Sequence, residues 1–216
     1  MTVPLLVSIQ VGQPRFLGTD GAVDPMDRPW ATGFFKEPIP GPVRVTQRNV
    51  VGDGQADLVN HGGIDKAVLI YSAEHYPYWC AELGLDQMPF GAFGENLTIS
   101  GLTEHDVNIG DVWKIGEVLF EVSQPRQPCW KLARRWRIKD LPARVVETGR
   151  SGWYLRVRTE GEITPGLPAE LIERPNPDWS IVRANRVMYF HKYDPDERAA
   201  LARVPGLSTS WVRALG

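Results

Sequence analysis

Twelve of the 18 prolines and 18 of the 21 glycines fall in the first three quarters of this 216-residue chain and cut it into short segments. Proline cannot donate to a ladder or continue a helix, and glycine favours turns, so long regular elements are excluded there. The surviving runs are short, rich in β-branched residues and bounded by turn formers. They lie at 3–11, 43–48, 67–71, 96–100, 113–115, 118–122, 153–157 and 170–173, and each is expected to form a strand. Gly116-Glu117, between two apolar runs, is expected to be a hairpin turn. Such spacing predicts a mainly β, α+β chain, barrel-like or sandwich-like, with helical insertions.

Three of those helices are expected at 75–83, 129–136 and 141–148. The first stops at Gly84 and carries Pro77 near its first turn. The third follows Asp140, a candidate N-cap, with Pro142 early in the helix. Composition shifts at Arg174-Pro175-Asn176-Pro177, and no strand pattern follows. Helices are expected at 178–190, at 195–202 after Asp194-Pro195, and from Ser208 through Leu215. The reading is therefore a β domain over 1–174 and a three-helix unit over 175–216. The smaller unit is too short to stand alone and is expected to pack on the larger.

A formal net charge of −2 gives no global electrostatic case for binding a nucleic-acid polymer. No stretch approaches the ~20 apolar residues of a membrane span, and the start lacks a secretory pattern, so a cytoplasmic protein is expected. Cys80, Cys129 and four histidines show neither disulfide nor zinc-ligand spacing. Cys80 lies in a helical apolar pattern beside Trp79 and is assigned to the core. Cys129 sits in Gln-Pro-Arg-Gln-Pro-Cys-Trp-Lys-Leu (124–132), with Arg126 before it and Lys131 after it. Nearby cations favour the thiolate, which is the nucleophile and metal ligand. A lone cysteine also serves often as a small buried hydrophobe.

Two further runs, 52–67 (GDGQADLVNHGGIDKA) and 93–102 (FGENLTISGL), set polar side chains among glycines. Together with 124–132 they suggest a cofactor site built from loops. Asp53, Gln55 and Asp57 do not complete a calcium-loop pattern, and Gly52 and Gly54 are read as turn markers. His61 is a candidate proton donor or a loop organiser, and Gly62 and Gly63 offer backbone N–H groups to an anion. Asp65 either orients His61 or pairs with Lys66.

These ordered runs, with ATGFFKEPIPGPVRV at 31–45, resemble the MOSC domain, the molybdenum cofactor sulfurase C-terminal domain. Within it the chain is similar to the stand-alone bacterial YiiM type, whose three-helix tail the segment from Pro175 resembles. The resemblance implies a mostly β barrel-like fold, a bound molybdenum cofactor (Mo-molybdopterin) and Cys129 as molybdenum ligand. It implies reduction of small N-hydroxylated compounds: hydroxylaminopurines, amidoximes or hydroxylamines. Electrons would come from a separate flavin-dependent reductase, since no dinucleotide fingerprint is present.

Lys36, Asp57, Lys66, Arg126 and Lys131 are the charged candidates for holding the cofactor, with solvated surface charge as the competing reading. Glu95 and Asn96 are candidates for the pterin edge or for a strand-entry turn. Tyr71 is a candidate pocket wall or core aromatic. Two other functions stay open: a sulfur carrier using a Cys129 persulfide, or a non-catalytic cofactor-binding module. The carrier would need a desulfurase partner, because the chain has no pyridoxal-phosphate domain of its own.

Overall fold

The computed structural model describes residues 3–58, 61–191 and 194–216. Residues 59 and 60, inside the 52–67 run, lie outside the described residues. The strands are β1 (Leu5–Val11), β2 (Arg15–Leu17), β3 (Trp30–Thr32), β4 (Glu37–Pro38), β5 (Val43–Val45) and β6 (Val68–Ser72). They continue with β7 (Leu97–Ser100), β8 (Val112–Ile115), β9 (Val118–Pro125), β10 (Trp153–Thr159), β11 (Gly161–Ile163) and β12 (Ala169–Glu173). The helices are α1 (His75–Leu83), α2 (Trp130–Trp136), α3 (Leu141–Thr148), α4 (Ile181–Tyr189), α5 (Pro195–Ala202) and α6 (Thr209–Leu215).

Eight strands form one sheet in the order β12-β8-β9-β10-β6-β7-β1-β4. Every pair is antiparallel except β6 and β7, which are joined through α1 and run parallel. The β8–β9 hairpin turns at Gly116, φ 57°, and pairs Ile115 with Val118. Two small ladders, β2–β3 and β5–β11, lie outside this sheet.

The expected barrel does not close. The start of β1 meets the segment before β12 through one bridge, Leu5 to Pro168, and a few backbone bonds. Leu6 N–H donates to Leu167 O at 2.9 Å, and Gly166 N–H to Leu6 O at 2.7 Å. Pro165 and Pro168 supply no donors there, so no regular ladder can seal the seam.

Period-2 alternation sorts β10 cleanly. Trp153, Leu155 and Val157 enter the core, so Tyr154 and Arg156 point out the other side. The main hydrophobic cluster includes Leu6, Ile70, Phe120 and Trp153. A second cluster, with Tyr71, Trp79, Phe93, Leu132 and Leu141, holds α1, α2 and α3 together. Cys80 packs against it, as expected of a core cysteine. Gly84 ends α1 in the left-handed conformation.

Ile181, Val187, Leu201, Trp211 and Leu215 from the C-terminal helices join the main cluster, so those helices share the core of the sheet. Ser180, Asp194 and Ser208 cap α4, α5 and α6 through their side chains. Asp140 makes no cap bond at α3; its carboxylate accepts instead from Arg144 Nε at 2.9 Å.

The junction at 174–177 is pinned by charge. Arg174 forks onto Asp111, Nε to Oδ1 at 3.0 Å and Nη2 to Oδ2 at 2.7 Å. The Asp111 side chain is fully buried and the Arg174 side chain one-third exposed. Removing the arginine strands a buried carboxylate. Arg174→Ala should lower unfolding stability by about 2 kcal/mol, less than the roughly 3–5 kcal/mol of a fully buried pair because Arg174 is partly solvated and Asp111 keeps the Asn108 N–H bond. Denaturant unfolding checks this; an unchanged midpoint would contradict it.

Candidate functional site

A cleft opens where β9 hands over to α2. Its inner compartment, lined by buried Arg126, Asn96 and Asp53, spans about 610 Å³ and an outer compartment about 1190 Å³, both counted with the solvent at their mouths. His61, Lys66, Cys129, Lys131, Tyr154 and Ala56 border both, so the two are continuous. Cys129 stands at their junction, a free, half-buried thiol directly before α2.

The floor of the inner compartment is an ion pair between Lys36 Nζ and the fully buried Asp53 carboxylate. Asp53 also accepts from Gly12 N–H at 2.9 Å and from Gln55 Nε2 at 3.3 Å. Burial draws the Lys36 ammonium below its usual range, against the pull of Asp53. The wall above is a backbone contact between two loops. A methyl at Gly33 would meet Gly54 O at 2.2 Å, so only glycine fits.

Arg126, 3% exposed, donates through Nη2 to Phe93 O at 3.1 Å. Its Nη1 is buried with no partner among the described residues. An orphaned donor on a buried guanidinium is costly and marks a place for an acceptor. Asn96 borders the inner compartment, but its amide bonds are internal: Oδ1 accepts from Leu69 N–H at 3.1 Å. Asp57 borders the outer compartment only.

His61 is held to about 4 by desolvation first, then by Lys131, Lys66 and Arg126 nearby, with Asp57 opposing. It is a neutral imidazole at pH 7. The expectation of a side chain that titrates near neutrality and delivers a proton as imidazolium is therefore not met. Burial and cations favour its uncharged form. Burial likewise lowers Lys66, against Asp65 and Asp57. Tyr154 is pushed up to about 12 by burial, so its hydroxyl keeps its proton.

Several sequence candidates lie elsewhere. Tyr71 is fully buried in the second cluster, stacked on Phe93 at 4.4 Å, with its hydroxyl shared between Trp79 Nε1 and Arg150 O. Glu95 is fully buried and ties its own turn together, accepting from Tyr76 Oη, Gly91 N–H and Phe93 N–H. Gly63 starts a 3-10 turn and does not border the cleft.

Asp65 points away from the cleft. Its ion pair is with Arg156 at 2.7 Å, and Thr209 donates to it twice. Burial opposes its charge, yet these bonds hold the carboxylate below its ordinary value.

Sequence reasoning missed Asp53, which it weighed only within an incomplete calcium-loop pattern, and Tyr154, which period-2 alternation along β10 could have found. It also missed an aromatic wall on the outer compartment. Trp30 and Trp130 sit 5.6 Å apart, with Arg134 over both rings.

The His61 geometry has a consequence for stability. The histidine is neutral when folded but binds a proton below about 6.5 when unfolded, so the unfolded chain takes up protons first. Its contribution is full above pH 6.5 and is lost as pH falls toward about 4. His61→Asn should flatten that acid-side loss relative to wild type. Parallel stability curves for the two proteins between pH 7 and pH 4 would contradict the assignment.

The family model described as MOSC domain matches residues 57–170, and the YiiM-like, 3-alpha helix domain matches 179–216. The chain is 44% identical over 209 residues to the uncharacterized protein YflK of Bacillus subtilis, covering 95% of this chain and 90% of that one. It is 41% identical over 160 residues to a protein named reductase from Gibberella moniliformis, covering 73% of this chain but 28% of that longer one. The crystal structure of YiiM from Geobacillus stearothermophilus superposes with a TM-score of 0.81 at 38% identity, covering 98% of this chain and 97% of that one. The chain therefore belongs to the MOSC family, in the YiiM type whose MOSC domain is followed by a three-helix domain.

Proposed function

We propose that the cleft holds a molybdenum cofactor and that the protein reduces small N-hydroxylated compounds, with Cys129 as the protein's metal ligand. The observation that carries this is the placing of one thiol between a basic inner compartment and an aromatic outer one. The name of the Gibberella relative supports the redox class. No helix among the described residues is long and apolar enough to cross a membrane.

The residues fit such a group by their chemistry. A thiolate is a soft ligand suited to a metal that also takes sulfur from its cofactor. Arg126, Lys131, Lys66 and Lys36 border the inner compartment, against Asp53, whose charge Lys36 already meets. The vacant Nη1 donor of Arg126 suits a phosphate oxygen, and guanidinium is the natural fork for that anion. Gly62 borders the same space with φ 88°, letting backbone approach the ligand closely.

When bound, the cofactor supplies two-electron oxygen-atom chemistry, so that R–NHOH, two electrons and two protons give R–NH2 and water. The chain's own residues bind, orient and shield. Trp30 and Trp130 give a flat substrate a stacking wall beside Cys129. Tyr154, protonated to about 12, donates a hydrogen bond from the wall shared by both compartments. His61, neutral at pH 7, accepts or donates a hydrogen bond but carries no acid proton of its own to spend. The protons then enter from water in the open outer compartment. Electrons come from a separate flavin-dependent reductase.

The test is turnover of an amidoxime by protein made in cofactor-competent cells, with a chemically reduced dye as electron donor. Cys129→Ala should lose reduction by at least about 10²-fold while folding normally, and Cys80→Ala should keep it. Comparable rates in Cys129→Ala and wild type would overturn the role of Cys129. No turnover by any of the three proteins, despite bound cofactor, would overturn the reductase reading itself.

A further inference from the structure

Ser208-Thr209-Ser210 is a run of three hydroxyls at the start of α6, remote in sequence from every site loop. Each hydroxyl bonds a residue that borders the cleft or directly precedes one that does. Ser208 Oγ and Ser210 Oγ both donate to Gln124 Oε1, at 2.7 and 3.0 Å. Thr209 donates to Asp65 Oδ2 through its N–H at 3.0 Å and its Oγ1 at 3.1 Å. Gln124 borders the outer compartment, and Asp65 directly precedes Lys66, which borders both compartments. Ser208 N–H also donates to Ser123 O at 2.9 Å, and Ser123 Oγ donates to Asp65 O at 2.5 Å. Arg156 completes the net, with Nε on Asp65 and Nη1 on Gly206 O at 2.6 Å.

The net grips the loop from His61 to Lys66. Gly62 and Gly63 both adopt left-handed φ, 88° and 83°, and glycine has the most backbone freedom to lose. Within it, His61 N–H reaches Asp57 O and Lys66 N–H reaches Gly63 O. Ile64 is 56% exposed, so packing does not fix it. The far side of the net is rigid: Ser208 is fully buried and caps α6, and Trp211 and Leu215 are anchored in the main cluster.

We infer that the three-helix unit works as a clasp that sets the position of the His61–Lys66 loop, with Thr209, Ser210 and Asp65 as positioning residues for the cleft. The inference rests on the reading of this cleft as the cofactor site, but its structural half does not depend on that reading. It assigns the tail a part in the site, although none of the sequence runs that mark the site lies there.

The experiment pairs Thr209→Val/Ser210→Ala with Thr209→Ser, leaving the Ser208 cap in place. Amide hydrogen exchange is followed on the whole chain without cofactor, alongside melting temperature. Molybdenum retained after gel filtration is measured on protein from cofactor-competent cells. The double variant should exchange amides 61–66 about tenfold faster, with protection elsewhere and melting temperature nearly unchanged. It should also retain several-fold less molybdenum, and Thr209→Ser, which keeps both hydroxyls, should match wild type in both properties.

Unchanged exchange at 61–66, or faster exchange spread evenly over the chain, would overturn the clasp and reduce the run to general packing. Local loosening with molybdenum retention unchanged would overturn its role in the site. Absence of molybdenum from wild type itself would count against the cofactor reading, while the exchange result would still decide the clasp.

Discussion

A carboxylate with no exposed side-chain surface holds this site open. Asp53 accepts from Lys36, from Gly12 N–H at the end of β1 and from Gln55, and so gathers three separate stretches of chain. A buried charge must be met by partners, because desolvation without them is far costlier than any ordering they require. Once Asp53 is in place, Gly33 is brought into backbone contact with Gly54, and the cleft has a floor and one wall. The opposite wall comes from β9 running on into Arg126 and Cys129. Arg126 is itself tied to Phe93, a member of the second aromatic cluster. The site is thus a seam between the open end of the sheet and the helical layer.

Charge then separates the cleft from the rest of a chain whose net charge is only −2. The inner compartment gathers four basic side chains, Lys36 among them paired with the buried Asp53. Burial is the largest cause of the depressed titration of His61, and Lys131, Lys66 and Arg126 add to it against Asp57. Trp30 and Trp130 line the outer compartment, and Cys129 borders both.

Much of the fold was legible because burial leaves a periodic mark. All eight expected strands are present, as are the helices at 75–83, 141–148 and 195–202. The strands β2, β3, β4 and β11 were not legible. Each has two or three residues, too few for alternation to register, and Arg15 and Phe16 of β2 are exposed. Barrel closure was misjudged because strand spacing says nothing about the seam, where Pro165 and Pro168 withhold donors.

In the site, Cys129 and the cations stood out by residue type. Glu95 and Tyr71 stood out equally, yet they serve a turn and an aromatic core. A polar residue beside glycine looks alike in a ligand loop and in a self-satisfied one. Only the hydrogen-bond partners tell them apart. The clasp by Ser208, Thr209 and Ser210 was invisible for a different reason: it acts across 84 and 144 residues of sequence.

The most direct measurement is anomalous diffraction at the molybdenum edge, on crystals of protein made in cofactor-competent cells. The account predicts one molybdenum peak at the junction of the two compartments, bonded to Cys129 Sγ, with phosphate density against Arg126 Nη1. Molybdenum bound elsewhere, or a fully loaded cofactor with no density reaching the Cys129 sulfur, would contradict it.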